Sequence, residues 1–157
     1  MPHITTCLWF DDQGEEAAEF YCSIFPNSKI VNILRNDPGG PGKAGTALLV
    51  EFELDGHRVS CLNGGPMFPQ SEAASLVVEC DSQGQLDRYW DALQAGGGKE
   101  SQCGWLKDRY GVSWQIVPRR LMELHADPDP ARRKRVMDAM MQMVKLDIAD
   151  LEKAAEG

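Results

Sequence analysis

Apolar and polar positions alternate with a period of two from Ile4 to Phe10, with Thr5, Cys7 and Trp9 on one side and Ile4, Thr6, Leu8 and Phe10 on the other. That is the signature of a strand. Asp11 and Asp12 follow, and Asp12 with Glu15 has the spacing of a capping box, which predicts a helix start. Ala17, Phe20, Tyr21 and Ile24 recur at helical spacing on one face, and Pro26 ends the run. Lys29 to Leu34 reads as a second strand. Residues 37–45 hold two prolines and four glycines in nine positions and predict a loop. Thr46–Leu54 and His57–Leu62 are β-prone runs on either side of Asp55-Gly56, the dipeptide of a type I′ hairpin turn. Asn63-Gly64-Gly65-Pro66 closes the second of them in a tight turn.

The pattern then restarts. Ser75–Glu79 is a predicted strand, Ser82 with Gln85 a capping box, and Leu86, Tyr89, Trp90 and Leu93 form the apolar face of a helix stopped by Gly96-Gly97-Gly98. Gln102–Lys107 and Val112–Val117 predict a hairpin across Asp108-Arg109-Tyr110-Gly111. Past Pro118 the chain turns helical, with Asp129 as a cap before Pro130, a stripe of Val136, Met140 and Met143, and Asp147 capping a short last helix. Phe20-Tyr21 corresponds to Tyr89-Trp90, and Ala17 and Ile24 to Leu86 and Leu93, so the pattern points to an internal duplication. The expected fold class is α+β: two βαβββ modules, 1–68 and 73–118, forming cupped mixed sheets, with a C-terminal helical extension over 119–157 in a single domain. Each module is too small to close a core alone, and a pocket is expected between the two curved sheets.

Charge narrows the function classes. The chain has 16 basic and 24 acidic residues, net −8, which disfavours nucleic acid, whose binders neutralise phosphates, and anionic membrane surfaces. No run approaches the ~20 apolar residues of a membrane span. Residues 1–6 lack the pattern of a secretory signal. Five cysteines (Cys7, Cys22, Cys61, Cys80, Cys103) stand singly, so free thiols in a reducing cytoplasm are expected.

Several motifs compete with plainer readings. Gly40-Pro41-Gly42-Lys43-Ala44-Gly45 spells GxGxxG, but a strand pattern follows it where pyrophosphate binding needs a helix N-terminus. His3, His57 and His125 are scattered, and the run Arg132-Arg133-Lys134-Arg135 reads as a solvated helix face. Met137, Met140, Met141 and Met143 suit core or dimer packing. Gln102-Cys103-Gly104-Trp105 is richer: a thiol, an aromatic wall and a glycine that permits close approach. Trp9 offers a second wall, although both tryptophans also suit a core. Lys107 is the nearest basic candidate to activate Cys103, on the same strand face if no bulge intervenes.

The words Cys7-Leu8-Trp9-Phe10-Asp11, Phe25-Pro26-Asn27-Ser28, Leu62-Asn63-Gly64-Gly65-Pro66, Cys103-Gly104-Trp105-Leu106-Lys107-Asp108 and Gly111-Val112-Ser113-Trp114-Gln115-Ile116 together resemble the PhnB-like family, often labelled 3-demethylubiquinone-9 3-methyltransferase. The resemblance also takes in the tail from Arg135 to Glu152. This family belongs to the vicinal oxygen chelate, or glyoxalase/bleomycin resistance/dioxygenase, superfamily. It implies paired βαβββ modules and a homodimer. In metal-dependent relatives four related points carry ligands, and matching by helix aromatics and hairpins places Thr5, Ser60, Ser75 and Gln115 there. Hydroxyls and one amide then replace histidines and carboxylates, so no metal and no cofactor is expected. The expected function is small-molecule binding, with an aromatic group among the candidate ligands, in the cavity between modules. Thr5, Cys7, Trp9, Asn63, Cys103, Trp105 and Gln115 are the candidate lining residues. The alternative is an enzyme of the same fold, either a methyltransferase or a metal-assisted glyoxalase or dioxygenase.

Overall fold

The alternation at the N-terminus becomes β1 (Thr6–Phe10), followed by α1 (Gly14–Ile24), β2 (Lys29–Arg35), β3 (Ala47–Leu54) and β4 (His57–Asn63). A computed structural model describes residues 1–157, and they divide into two compact units, Met1–Gln70 and Ser71–Gly157. The first unit is one sheet in the order β1-β4-β3-β2, with β1 parallel to β4 and the other pairs antiparallel. Directly paired residues share a face of a sheet. The register therefore puts Leu8, Phe10, Val50, Phe52, Val59, Cys61 and Asn63 on one face. Helix α1 packs on β3 and β4 there, burying Ala17, Ala18 and Tyr21, with the Tyr21 ring stacked on Phe52 at 6.2 Å. Each large side chain so buried contributes about 1.5–3 kcal/mol of hydrophobic stabilisation. The opposite, open face carries Cys7, Trp9, Leu49, Glu51, Ser60 and Leu62.

The start of α1 differs from the expected capping box. Gln13 is the N-cap and offers no side-chain cap. Instead the Gly14 N–H donates to Asn63 Oδ1, 2.8 Å away at the end of β4. A Cβ on residue 14 would lie 2.7 Å from that oxygen and 2.9 Å from Cys61 Cβ, so the approach requires glycine. The side-chain amide of a residue distant in sequence has displaced the local cap, and Glu15 pairs with Arg35 at 2.8 Å. The β3–β4 turn is as predicted, with φ of 47° at Asp55 and 82° at Gly56.

The second unit repeats the architecture. β5 (Leu76–Cys80), α2 (Gln83–Gln94), β6 (Lys99–Glu100), β7 (Trp105–Lys107) and β8 (Ser113–Pro118) form a sheet in the order β5-β8-β7-β6, β5 parallel to β8. This is the order of the first sheet, element for element, and it bears out the duplication. Helix α2 packs on β7 and β8 and buries Leu86, Tyr89, Trp90 and Leu93. Its cap follows the sequence: Ser82 Oγ accepts from Gln85 N–H at 3.2 Å, and Gln85 Oε1 accepts from Asp81 N–H at 2.7 Å.

The hairpin of this unit is shorter than predicted. β7 starts at Trp105 because Cys103 and Gly104 have φ of 58° and 85°. Their N–H groups donate to Met143 O and Val144 O, each at 2.8 Å, and so leave the β ladder. The β7–β8 turn is organised by Asp108. Its Oδ1 accepts from Tyr110 N–H (2.9 Å) and Val112 N–H (3.1 Å), and its Oδ2 accepts from Trp114 Nε1–H (2.9 Å).

Three helices complete the unit: α3 (Arg119–His125), α4 (Pro130–Met140) and α5 (Ile148–Glu156). Asp129 and Asp147 cap α4 and α5 as expected. Val136 is buried, and Met143 lies past the end of α4. The basic run is engaged internally. Arg132 pairs with Asp127 and Lys134 with Asp138, Arg133 donates to Asp127 O, and Arg135 donates to Ala154 O and Ala155 O at the C-terminus of α5. A guanidinium at that end satisfies orphan carbonyls and suits the helix dipole.

Candidate functional site

The residues that could meet a ligand are those on the open face of each sheet, because the other face lies under a helix. In the second unit β8 is flanked by β5 and β7, and the register aligns Val77, Gln115 and Trp105 in one row. Gln115 Nε2 donates to Ser75 Oγ at 3.0 Å, which fixes the amide at the start of β5. Trp105 and Gln115 are both half-buried, so a ring face and a polar group stand side by side. One row along, Lys107 is opposite Ser113 and Lys99 is opposite Lys107. These side chains, with Trp105, Ser101 and Glu72, line a cleft of about 170 Å³. The Lys107 ammonium pairs with Glu72, and that hydrogen bond, foremost, holds the Glu72 carboxyl below its usual range.

In the first unit the open face carries Cys7 and Trp9, with Thr5 exposed just ahead of β1. Trp9 is half-buried and held: Nε1–H donates to Gly65 O at 2.8 Å, and the ring meets Phe68 edge-on at 4.9 Å. Gly64 lies under the indole, where a Cβ would come within 2.3 Å of the ring. Asn63 stands apart from these residues. It lies on the α1 face, with Oδ1 on Gly14 N–H and Nδ2 donating to Ala47 O at 3.0 Å, so it braces the helix start.

Cys103 is not on the β7 ladder. It sits in the turn before β7 with Sγ 3.8 Å from Met141 Sδ. Lys107, the nearest basic candidate to activate Cys103, does not serve it: the left-handed turn takes the thiol off the strand and the Lys107 ammonium goes to Glu72. Ser113 and Lys99 were missed by the sequence reading. Strand alternation was the available signal for Ser113, two residues from Gln115. For Lys99 there was none, since a two-residue strand leaves no periodicity.

The sequence model of the 3-demethylubiquinone-9 3-methyltransferase family matches residues 2–117. The chain belongs to this PhnB family. Among solved structures, a PhnB protein from Bacillus cereus is 36% identical, with 74% of this chain and 99% of that one covered and a TM-score of 0.68. Protein PA1353 from Pseudomonas aeruginosa is 19% identical over 75% of this chain and 98% of that one, TM-score 0.63. The fosfomycin resistance protein FosX from Listeria monocytogenes is 13% identical over 75% and 93%, TM-score 0.52. These last two share the fold, an α+β architecture of mixed four-stranded sheets with helices. No curated protein matches the chain. The family match ends within β8, so α3, α4 and α5 of this PhnB-family chain lie outside it, including the tail words from Arg135 to Glu152.

The superfamily implies a divalent metal in many members, and the residues here do not fit one. Thr5 and Ser60 in one unit, and Ser75 and Gln115 in the other, are neutral, and the Gln115 amide already bonds the Ser75 hydroxyl. In neither unit do three or more His, Cys, Asp or Glu side chains converge. Hard cations are held largely by anionic oxygens, and catalytic zinc and iron by imidazole and carboxylate. His57, whose Nε2 lies 3.1 Å from Thr6 Oγ1, has no second imidazole beside it in its unit's β-strands. The glycine-rich loop leads into β3, and its interior is occupied by Asn36, whose Nδ2 donates to Thr46 Oγ1 at 3.1 Å. A Cβ on Gly42 would strike that amide at 2.6 Å.

Proposed function

We propose that this PhnB-family protein binds a small organic molecule, with an aromatic group preferred, on the open faces of its sheets and without a resident divalent metal. The observation that carries this reading is the row Ser75–Gln115–Trp105, where a superfamily ligand position holds an amide fixed beside a half-buried indole. Trp105 supplies an apolar wall and Gln115 a directional polar group, the usual division of labour in a small-molecule site. Trp9, with Cys7 and Thr5 beside it, offers the equivalent wall in the first unit, Asn63 holds the frame behind it, and Cys103 stands in the turn before β7 against Met141. The methyl transfer named in the family description needs a cradle for its donor, and the Gly40–Gly45 loop does not lead into the helix that such a cradle requires.

The test is a titration of aromatic fragments followed by protein-observed NMR, together with elemental analysis of protein purified without a histidine tag. Saturable shifts at the Trp105 indole and Gln115 side-chain amide, abolished in Trp105→Ala, support the reading. Stoichiometric metal that is lost in Gln115→Ala overturns it and favours the enzyme alternative. A homodimer in the cytoplasm belongs to the same proposal. All five cysteines are free, no helix is long and apolar enough to cross a membrane, and Met137 and Met141 present exposed apolar surface at α4. A monomer by sedimentation at micromolar concentration refutes the dimer.

A further inference from the structure

The edge of the second sheet juxtaposes groups that its own stability does not call for. Lys99 and Lys107 are directly opposite on antiparallel β6 and β7. Like charges at such positions repel, so the pairing needs an anion to offset it. Glu72 supplies one carboxylate to Lys107 from the turn before β5, and its side chain is 62% exposed. On the other side of Lys107 stands Ser113, which is 1% exposed and whose Oγ has no hydrogen-bond partner. Buried hydroxyls are nearly always satisfied, so an orphan one directly opposite Lys107, lining the same cleft as both lysines, calls for a missing acceptor. Trp105 walls the same cleft, and Glu100, which also lines it, pairs with Leu106 and so alternates to the opposite face from Lys99. The cleft volume of about 170 Å³ is below that of drug-sized sites, roughly 300–1,000 Å³, and suits one ring or a headgroup.

We propose that this cleft is an anion subsite that receives the carboxylate of a small aromatic acid. The acid's oxygens accept from the Lys99 and Lys107 ammonium groups and from the Ser113 hydroxyl, while its ring lies against Trp105. Glu72 occupies the Lys107 end when the cleft is empty and competes with the incoming acid. The inference rests on the small-molecule reading above and adds the charge of the ligand and the residues that select it.

The experiment uses the full-length chain, labelled with nitrogen-15, at low ionic strength, with benzoate as probe and neutral benzamide as its matched control. Benzoate is expected to shift the Trp105 indole and the Ser113 amide saturably, at least about fivefold tighter than benzamide, as expected for an interaction that uses two partly exposed cations. Lys99→Met lowers benzoate affinity about threefold and leaves benzamide unchanged, whereas Glu72→Gln raises benzoate affinity by a similar factor by removing the competitor. Both positions are exposed, and the same spectra report that each variant is folded. Equal binding of benzoate and benzamide, or an unchanged benzoate affinity in both variants, overturns the anion subsite and leaves the aromatic reading standing. If neither probe moves Trp105 or Ser113, the subsite is refuted. The small-molecule reading then falls only if fragments also fail at Gln115 and Trp9.

Discussion

Asp108→Asn is the most informative perturbation of the scaffold beneath the candidate site. Asp108 is 3% exposed, and its carboxylate accepts hydrogen bonds from Tyr110 N–H, Val112 N–H and Trp114 Nε1–H. An asparagine is nearly isosteric and can keep its oxygen on the two backbone donors. Its NH2 then faces the indole N–H, donor against donor. The lost charge-assisted bond contributes about 1.5–3 kcal/mol, and a buried indole N–H is left unsatisfied. Relief from burying a charge offsets part of this. The expected net loss is about 2–4 kcal/mol, a large share of a typical 5–15 kcal/mol stability. Urea unfolding followed by circular dichroism measures it, with the slope checked for constancy. Combining the change with Trp114→Phe removes the stranded N–H, so Asp108→Asn should cost at least about 1 kcal/mol less in that background, a coupling that a double-mutant cycle reads directly. A loss below about 0.5 kcal/mol, or no coupling, refutes the assignment of Asp108 as the anchor that sets β7 against β8.

Further outcomes follow from the same geometry. Gly64→Ala places a Cβ within 2.3 Å of the Trp9 ring; the ring must move, costing about 1–3 kcal/mol and shifting the Trp9 indole resonance. With a disulfide reagent at about pH 8, exposed Cys7 should react first and the buried Cys61 and Cys80 last; burial, reinforced by Asp81, pushes the Cys80 thiol up to about 11. Mass mapping of the labelled sites checks that order. Acid should destabilise the fold through Glu15 and Asp87. Hydrogen bonds from Arg35 to Glu15, and from Lys145 and Gln83 to Asp87, hold these carboxyls below their ordinary values. A folded-state value below the unfolded one gives stability that is present above the ordinary carboxyl range and is lost as pH falls through the depressed value. Glu15→Gln should therefore flatten the fall of the urea midpoint between about pH 6 and about pH 3, and an unchanged fall would show that the Arg35 pair contributes nothing.

Much of the fold was legible from local chemistry. The Asp55-Gly56 turn, the Ser82 cap with Gln85, Pro130 behind Asp129, and the paired helix aromatics each act within a few residues, so the chain order alone carries them. The duplication was legible for the same reason, because each module repeats its own periodicity. What the sequence could not determine is where a side chain finds a partner far along the chain. Asn63 is a candidate lining residue by sequence, yet β4 delivers it to the N–H of Gly14, 49 residues away. Cys103 and Lys107 shared a face only on the assumption of a straight strand. The bonds to Met143 and Val144 bent the chain at Cys103, and Glu72 took the lysine. The row of Ser75, Gln115 and Trp105, and the cleft beside it, exist only because β8 lies between β5 and β7. Local propensity acts through bonds a few residues apart, whereas strand register is chosen by burial summed over the whole sheet, so the elements belong to the sequence and the site belongs to the fold.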